Sequence, residues 1–471
     1  MKAWHDECGV FGIWNHPESA RLTYLGLYAI QHRGQEAAGI VSLEGDTHHI
    51  RKGLGLVADI FDEPALVSLR GNAAIGHVRY STTGQNSIAN AQPMTGQLFN
   101  GPLAVAHNGN IVNAEPLKLD LRARGSIFQG SNDTEVILHL IARHDSNDLL
   151  VCLKEALDKI EGAFSLTVLS HKGLFAVRDS HGFRPLVLGT LEDGPNGKPS
   201  YVVASETCAF DLIGAKYLRE IEPGEIFWVD ETGAHSTYLT RKAPRSACVF
   251  EHVYFSRPDS VVFGESVYEV RKRAGQALAL EMPTEADIVV PVPDSGVPAA
   301  VGYAQASGLP FELGIIRNHY IGRTFIQPSQ SIRDFGVKIK LNPQTAVLKG
   351  KRVIVIDDSI VRGTTSKKIV NLIRSAGATE VHLRIAAPPT VGPCYYGVDT
   401  PARSQLIAAN QSLESIREFV GADSLGYLSM SGLMTAVRGG ETGFCAACFG
   451  GPYPTPLFGL DLDPAGNVRG I

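Results

Sequence analysis

R-V-I-V-I-D-D-S-I-V-R-G-T-T-S, residues 352–366, passes from strand to helix through a polar turn. Arg352 to Ile356 is rich in β-branched apolar types, the composition of a short buried strand. Asp357 and Asp358 follow at once, then a turn with Gly363 and the hydroxyls of Thr364, Thr365 and Ser366. Ile369, Val370 and Ile373 recur three and four apart behind a capping hydroxyl, so the chain enters a helix. Open α/β sheets bind ligands beyond the carboxyl ends of their strands. Loop amides and a helix N-terminus suit a phosphate there, and adjacent carboxylates suit sugar hydroxyls or a divalent metal. The spacing of a P-loop is absent. A helix cap and a plain turn would account for the same residues without a ligand.

Outward from this stretch the second half keeps a βα rhythm. Asp287–Pro293 reads as an apolar strand that opens through Pro293, Asp294, Ser295 and Gly296 onto Val297–Ala306. Phe311–Ile316 and Glu380–Ala387 read as further strands, with helices at Val267–Leu280 and Thr365–Ser375. The alternation predicts a mainly parallel α/β sheet domain over residues 245–440, followed by a C-terminal segment, 441–471.

Residues 8–240 read differently. Short apolar strands at Cys8–Trp14, Ala37–Ser42, Ala73–Ser81 and Ala163–Leu169 alternate with glycine-rich loops. Phe164, Leu166 and Val168 share one face. Helices are expected at Ser19–Gln31 and at Asn132–Arg143, and Gly101–Ile111 reads as a loop. Repeated strands with helices apart from them predict a layered α+β sandwich.

Apolar residues make up 44% of the 471, charged residues 19%, and the net charge is −5, so nucleic acid is not an expected partner. No run approaches a membrane span, and M-K-A-W-H-D-E-C lacks the apolar core of a secretion signal, so the expected location is cytoplasmic, or organellar only if a transit peptide has been trimmed. The seven cysteines do not read as a disulfide framework in a chain of this size. They are expected to divide into a nucleophile, core residues and metal ligands. Cys445 and Cys448 form a C-x-x-C pair, a spacing shared by redox dithiols, zinc sites and iron–sulfur sites. A lone cysteine before an apolar strand, as Cys8 is, reads most simply as structural. Were residues 1–7 removed, Cys8 would carry an α-amine of pKa about 8, able to act as its own general base.

Five motifs appear in order in the first half: C-G-V-F-G at Cys8, Q-H-R-G-Q-E at Gln31–Glu36, G-H-V-R-Y-S-T at Gly76–Thr82, H-N-G-N-I at His107–Ile111 and S-N-D-T-E at Ser131–Glu135. Together they resemble the glutamine amidotransferase domain of the N-terminal-nucleophile class. The resemblance implies an αββα sandwich and a propeptide, residues 1–7, cleaved autocatalytically between Glu7 and Cys8. It makes Cys8 the nucleophile that attacks the side-chain amide of glutamine and frees ammonia through a glutamyl thioester. Asn108 and Gly109 match its oxyanion hole. Arg79 and Asp133 match the pair that grips the α-carboxylate and α-amine of glutamine. Arg33 matches a loop arginine near the site and is expected, with Arg79 and Asp133, among the glutamine-binding residues.

The opening stretch closely resembles the phosphoribosyl pyrophosphate (PRPP) signature of phosphoribosyltransferases. By that resemblance Asp357 and Asp358 hold the ribose hydroxyls, Gly363, Thr364 and Thr365 cradle the 5-phosphate, and Pro293–Gly296 is the pyrophosphate loop. Ser295, Asp357 and Asp358 match magnesium positions. Asn318–Ile326 and Arg333–Lys340 resemble a mobile loop that would close over PRPP and bring Arg323, Arg333, Lys338 or Lys340 to the pyrophosphate. Without that match Lys338 and Lys340 read as a solvated strand face. Cys248, Cys394, Cys445 and Cys448 match the ligands of a cluster-bearing branch, implying a [4Fe–4S] cluster, and Cys152 and Cys208 are left as core residues.

The two halves together resemble the amidophosphoribosyltransferases, in their iron–sulfur branch. The implied reaction converts glutamine, PRPP and water to 5-phosphoribosylamine, pyrophosphate and glutamate, the first committed step of de novo purine synthesis. Homotetramers and feedback inhibition by purine nucleotides are implied as well. Other N-terminal-nucleophile amidotransferases, of the glucosamine-6-phosphate or asparagine synthetase type, carry different acceptor domains, against which D-D-S-I-V-R-G-T-T argues. A regulatory PRPP-binding protein similar to the purine repressor would have no use for the Cys8 motifs, and no recognisable DNA-binding segment is evident.

Overall fold

The computed structural model describes residues 8–80, 87–99, 101–192, 194–318, 341–438 and 443–457. In the first half two antiparallel sheets stack face to face. The seven-stranded sheet runs, in spatial order, Lys216–Glu220, Val187–Leu191, Ser200–Ala204, Gly9–Trp14, Ala73–Arg79, Ala37–Glu44 and Thr47–Leu54. The six-stranded sheet runs Gly233–Tyr238, Glu225–Asp230, Gly173–Arg178, Gly162–Ser170, Gly101–Ile111 and Met94–Leu98. Val10, Val41 and Ile75 of one sheet meet Ala104, Ala106 and Leu174 of the other in a shared inner core. Helix Ser19–Ala29 covers the outer face of the first sheet, and helices Thr134–Ala142 and Leu149–Leu157 cover that of the second. This is the expected αββα sandwich.

Gly101–Ile111 corrects the loop reading. It is a full strand, paired with Met94–Leu98 on one side and Gly162–Ser170 on the other. Its centre, Leu103-Ala104-Val105-Ala106, alternates with period 2. Leu103 and Val105 face the helices, and Ala104 and Ala106 face the other sheet. Turn-forming residues at its two ends masked a pattern that only burial on both faces makes decisive.

In the second half four strands, Ile288–Pro291, Arg352–Asp357, Glu380–Ile385 and Ser424–Tyr427, form an all-parallel sheet in that order. Helices cover both faces, which is why residues 353–356 are apolar without a break. Ile354 and Ile356 pack with helices Val267–Glu281 and Val297–Ser307, while Val353 and Val355 pack with Thr364–Ser375. Of the expected strand at 311–316, only an isolated bridge from Phe311 to Val289 and the short strand Ile315–Arg317 form. No helix among the described residues is long and apolar enough to cross a membrane.

The halves meet through buried charge. Arg33, from a 3-10 turn after the first helix, donates to Glu206 (2.5 Å) and to both carboxylate oxygens of Glu251 (2.6 and 3.0 Å). Glu251 opens a π-helical turn leading into the second half and also accepts from Arg184 (3.2 Å) and Ser256 (2.7 Å). The Arg33, Arg184, Glu206 and Glu251 side chains are wholly enclosed. Burial alone would raise the Glu206 carboxyl, but His32 and Arg33 beside it outweigh that and hold it at about 2. A depressed carboxyl contributes stability that is complete above its unfolded value of about 4.5 and is lost as pH falls toward about 2. Glu206→Gln leaves buried cations short of an anion, so the unfolding free energy at neutral pH falls by about 3–5 kcal/mol. The acid limb between those values flattens at the same time. Urea titrations at stepped pH check both effects, and an unchanged acid limb contradicts the assignment.

Candidate active site

Cys8 stands immediately before the Gly9–Trp14 strand, which pairs with Ala73–Arg79 so that Gly9 lies opposite Val78. The Cys8 thiol is buried and donates toward the carbonyl of Tyr80 at 3.5 Å. Arg79 is the last residue of the partner strand and is also buried. From the facing sheet, His107 binds across the sandwich: its carbonyl oxygen lies 3.0 Å from His77 Nε2. Burial lowers the pKa of His77 to about 3, so it is neutral and donates through that nitrogen. This cross-link holds Asn108 and Gly109 opposite the end of the strand that carries Arg79 and, beside it, Cys8.

Asn108 is 1% exposed, and its Nδ2 is buried without a hydrogen-bond partner among the described residues. A buried donor left unpaired costs on the order of 1–3 kcal/mol unless a ligand completes it. Asp133, at the start of helix Thr134–Ala142, does not cap that helix. It accepts instead from the Ile111 amide at 2.9 Å, which ties the helix to the end of the Asn108 strand. The fold thus gathers Cys8, Arg79, Asn108, Gly109 and Asp133 at one end of the sandwich. Arg33 lies one layer behind them. Its Nε reaches the Cys8 carbonyl at 3.1 Å, and its other nitrogens serve Glu206 and Glu251. Residues 1–7, and Ser81 and Thr82 of the third motif, lie outside the described residues.

At the carboxyl end of the parallel sheet the second constellation forms. Asp357 closes its strand, and Asp358 Oδ1 accepts from Ser295 at 2.5 Å while Oδ2 accepts from Ser359 at 2.6 Å. The Asp358 amide donates to Asp357 at 3.0 Å. Burial, reinforced by the adjacent Asp358, pushes the Asp357 carboxyl well above the usual carboxylate range. Gly363 then takes a left-handed φ of 71° and starts helix Thr364–Ser375, placing Thr364 and Thr365 in its first turn. The loop after Ile288–Pro291 carries a cis Pro293–Asp294 peptide and leads through Ser295 into helix Val297–Ser307. Helices Val297–Ser307 and Thr364–Ser375 thus both start from loops that follow the carboxyl ends of neighbouring parallel strands, as the acid pair does. Arg323, Arg333, Lys338 and Lys340 lie outside the described residues.

The cysteine expectation needs correction. Cys248, Cys394, Cys445 and Cys448 line one small apolar void of about 20 Å³, with Phe183, Phe250, Tyr396 and Tyr453. Burial pushes the Cys445 thiol up to about 12 and that of Cys448 well above its ordinary value. Among the described residues no group of three or more His, Cys, Asp or Glu side chains could hold a metal ion. The [4Fe–4S] cluster and the iron–sulfur branch are withdrawn accordingly. C-x-x-C is a statement about sequence neighbours, and here the fold packs the thiols among aromatic rings.

Glu206, Glu251 and Arg184 were not picked out from sequence. The one available signal was a lone charge in an apolar context, as in V-F-E-H at Glu251.

Residues 77–211 match the glutamine amidotransferase domain family, and residues 264–393 match the phosphoribosyl transferase domain family. The chloroplastic amidophosphoribosyltransferase of Vigna aconitifolia is 53% identical over 99% of this chain and 95% of its own length. That of Glycine max is 53% identical over 95% of this chain and 78% of its own length. The solved glutamine PRPP amidotransferase of B. subtilis, complexed with ADP and GMP, superposes with a TM-score of 0.90 at 48% identity, covering 96% of this chain and 98% of that one. The two plant relatives are chloroplastic, which overturns the cytoplasmic expectation. Composition could not have decided it, because a compartment is addressed by a receptor-read signal and not by the folded body.

Proposed function

The chain belongs to the amidophosphoribosyltransferase family, and from that premise we propose how its own residues divide the reaction. It is a glutamine-dependent PRPP amidotransferase, producing 5-phosphoribosylamine in the first step of purine biosynthesis. In our reading, cleavage before Cys8 gives it a free α-amine. That amine takes the thiol proton as sulfur attacks the glutamine amide carbon, and returns it to the departing nitrogen as ammonia leaves. Water then cleaves the thioester to glutamate and restores the thiol. Asn108 Nδ2 and the Gly109 amide receive the negative charge on the amide oxygen, Arg79 and Asp133 hold the glutamine zwitterion, and Arg33 fixes the Cys8 backbone.

At the second site Asp357 and Asp358 accept from the ribose hydroxyls, and Thr364, Thr365 and the helix amides behind Gly363 hold the 5-phosphate. Ammonia attacks C1 of PRPP as its bond to pyrophosphate oxygen breaks, and the new C–N centre loses a proton to give the amine. Asp357, Asp358 and Ser295 would hold a magnesium ion, which would supply charge neutralisation to the leaving pyrophosphate. The raised Asp357 carboxyl fits this, as two uncompensated acids side by side favour a cation. We also propose inhibition by purine nucleotides, supported by the ADP and GMP of the B. subtilis relative, and a homotetramer. Sedimentation with and without GMP tests both, and an unresponsive monomer refutes them.

One observation carries the glutamine assignment: the buried, unpaired Nδ2 of Asn108. Asn108→Ala is expected to lower the glutamine-dependent kcat by about 10²–10³-fold, with the KM for glutamine little changed. Ammonia-dependent synthesis should persist. Equal loss of both activities would refute the oxyanion role.

A further inference from the structure

We propose that a loop of the second half, residues 394–400, is a positioning element for the glutamine site. The proposal rests on Asn108 and Gly109 being the oxyanion hole. Gly397 lies back to back with Gly109: a Cβ at Gly397 would fall 2.9 Å from the Gly109 carbonyl carbon, 3.0 Å from its Cα and 3.1 Å from its oxygen. On the other side a Cβ at Gly109 would fall 2.1 Å from the Ala163 carbonyl oxygen. Both glycines have positive φ, 105° at Gly397 and 147° at Gly109. The Gly109 backbone is therefore clamped between its neighbouring strand and the loop, and only glycine fits either position. A tether sits one residue on, where Asn110 Nδ2 donates to the Tyr395 carbonyl at 3.0 Å.

The loop is itself held firmly. The Tyr396 ring stacks on Phe183 at 4.2 Å, its carbonyl accepts from Arg184 Nε at 2.8 Å, and its hydroxyl meets Thr455 at 3.1 Å. Arg184 also binds Glu251, so the clamp and the backing of Cys8 share one buried network. Backbone donors stabilise an oxyanion only when held about 2.7–3.1 Å from it. A 1 Å displacement can cost about 10²-fold. Gly397 and Asn110 touch no reacting atom in this scheme; they fix the backbone that does.

Three full-length variants test this, each assayed for glutamine hydrolysis and for ammonia-dependent synthesis. Gly397→Ala pushes on Gly109 and is expected to lower the glutaminase kcat about 10²-fold. The KM for glutamine and the ammonia-dependent rate should change less than about twofold, a split that general loss of structure would not produce. Asn110→Ala removes the tether without pushing on Gly109 and is expected to cost about tenfold in the same kcat. Should Gly397→Ala lose ammonia-dependent synthesis as well, Asn110→Ala alone decides. With Asn108→Ala impaired, an unchanged kcat in both loop variants overturns the clamp. A silent Asn108→Ala shows instead that the oxyanion reading has failed.

Discussion

Cys8→Ala abolishes phosphoribosylamine synthesis from glutamine, by at least about 10³-fold, and leaves synthesis from ammonia intact. The asymmetry follows from the two-site layout. Cys8 lies in the sandwich, joined to the second half through Arg33 and Glu251, and it has no part in the Asp357–Thr365 constellation. Alanine removes the sulfur, and with it the thioester, but it fills the same buried position without a new polar group. The backbone contacts of residue 8, including the Arg33 bond to its carbonyl, do not depend on the side chain. Assays with ammonium salts at a pH that supplies the free base, beside assays with glutamine, make the comparison. Retained glutamine-dependent activity would remove Cys8 as nucleophile. Loss of both activities would place Cys8 in the structural core instead.

Asp358→Ala is expected to do the reverse: both synthetic activities fall by about 10²–10³-fold while glutamine hydrolysis assayed alone persists. Asp358 is the hub of its site, accepting from Ser295 in the loop that leads into helix Val297–Ser307 and from Ser359 in its own. Removing it frees two hydroxyls and uncouples the two loops. It also removes a like charge from Asp357, whose carboxyl drops back toward the ordinary range. Asp357 then ionises at lower pH than in the parent protein. Carboxyl titration followed spectroscopically should show that downward shift, and an unmoved Asp357 would mean that burial alone sets it. A synthetic rate within about threefold of the parent would remove the acid pair from PRPP binding.

The two chemistries were legible in sequence because each is written locally. A strand, two acids, a glycine turn and a helix occupy residues 352–375, and the fold class follows from such short-range periodicities. Where a segment mixes turn residues with a central apolar alternation, as Gly101–Ile111 does, local preference misleads. Pairing on both edges and burial on both faces then decide for a strand. Burial was equally illegible for Arg33: the Q-H-R-G-Q-E motif brings it near Cys8, but nothing local says that Glu206 and Glu251 enclose it.

From sequence alone came two domains of known type, a nucleophile for one and a phosphosugar signature for the other. Those rest on short motifs, within each of which the backbone fixes the spacing before folding. Only the tertiary structure decided that the Cys394–Thr400 region touches Gly109, that Arg33 binds the Cys8 carbonyl, and that the four thiols lie among aromatic rings with no metal-holding group among the described residues. Such contacts join positions as far apart as Gly109 and Gly397. They exist because the two halves dock through buried charge, and docking leaves no period in the chain to read.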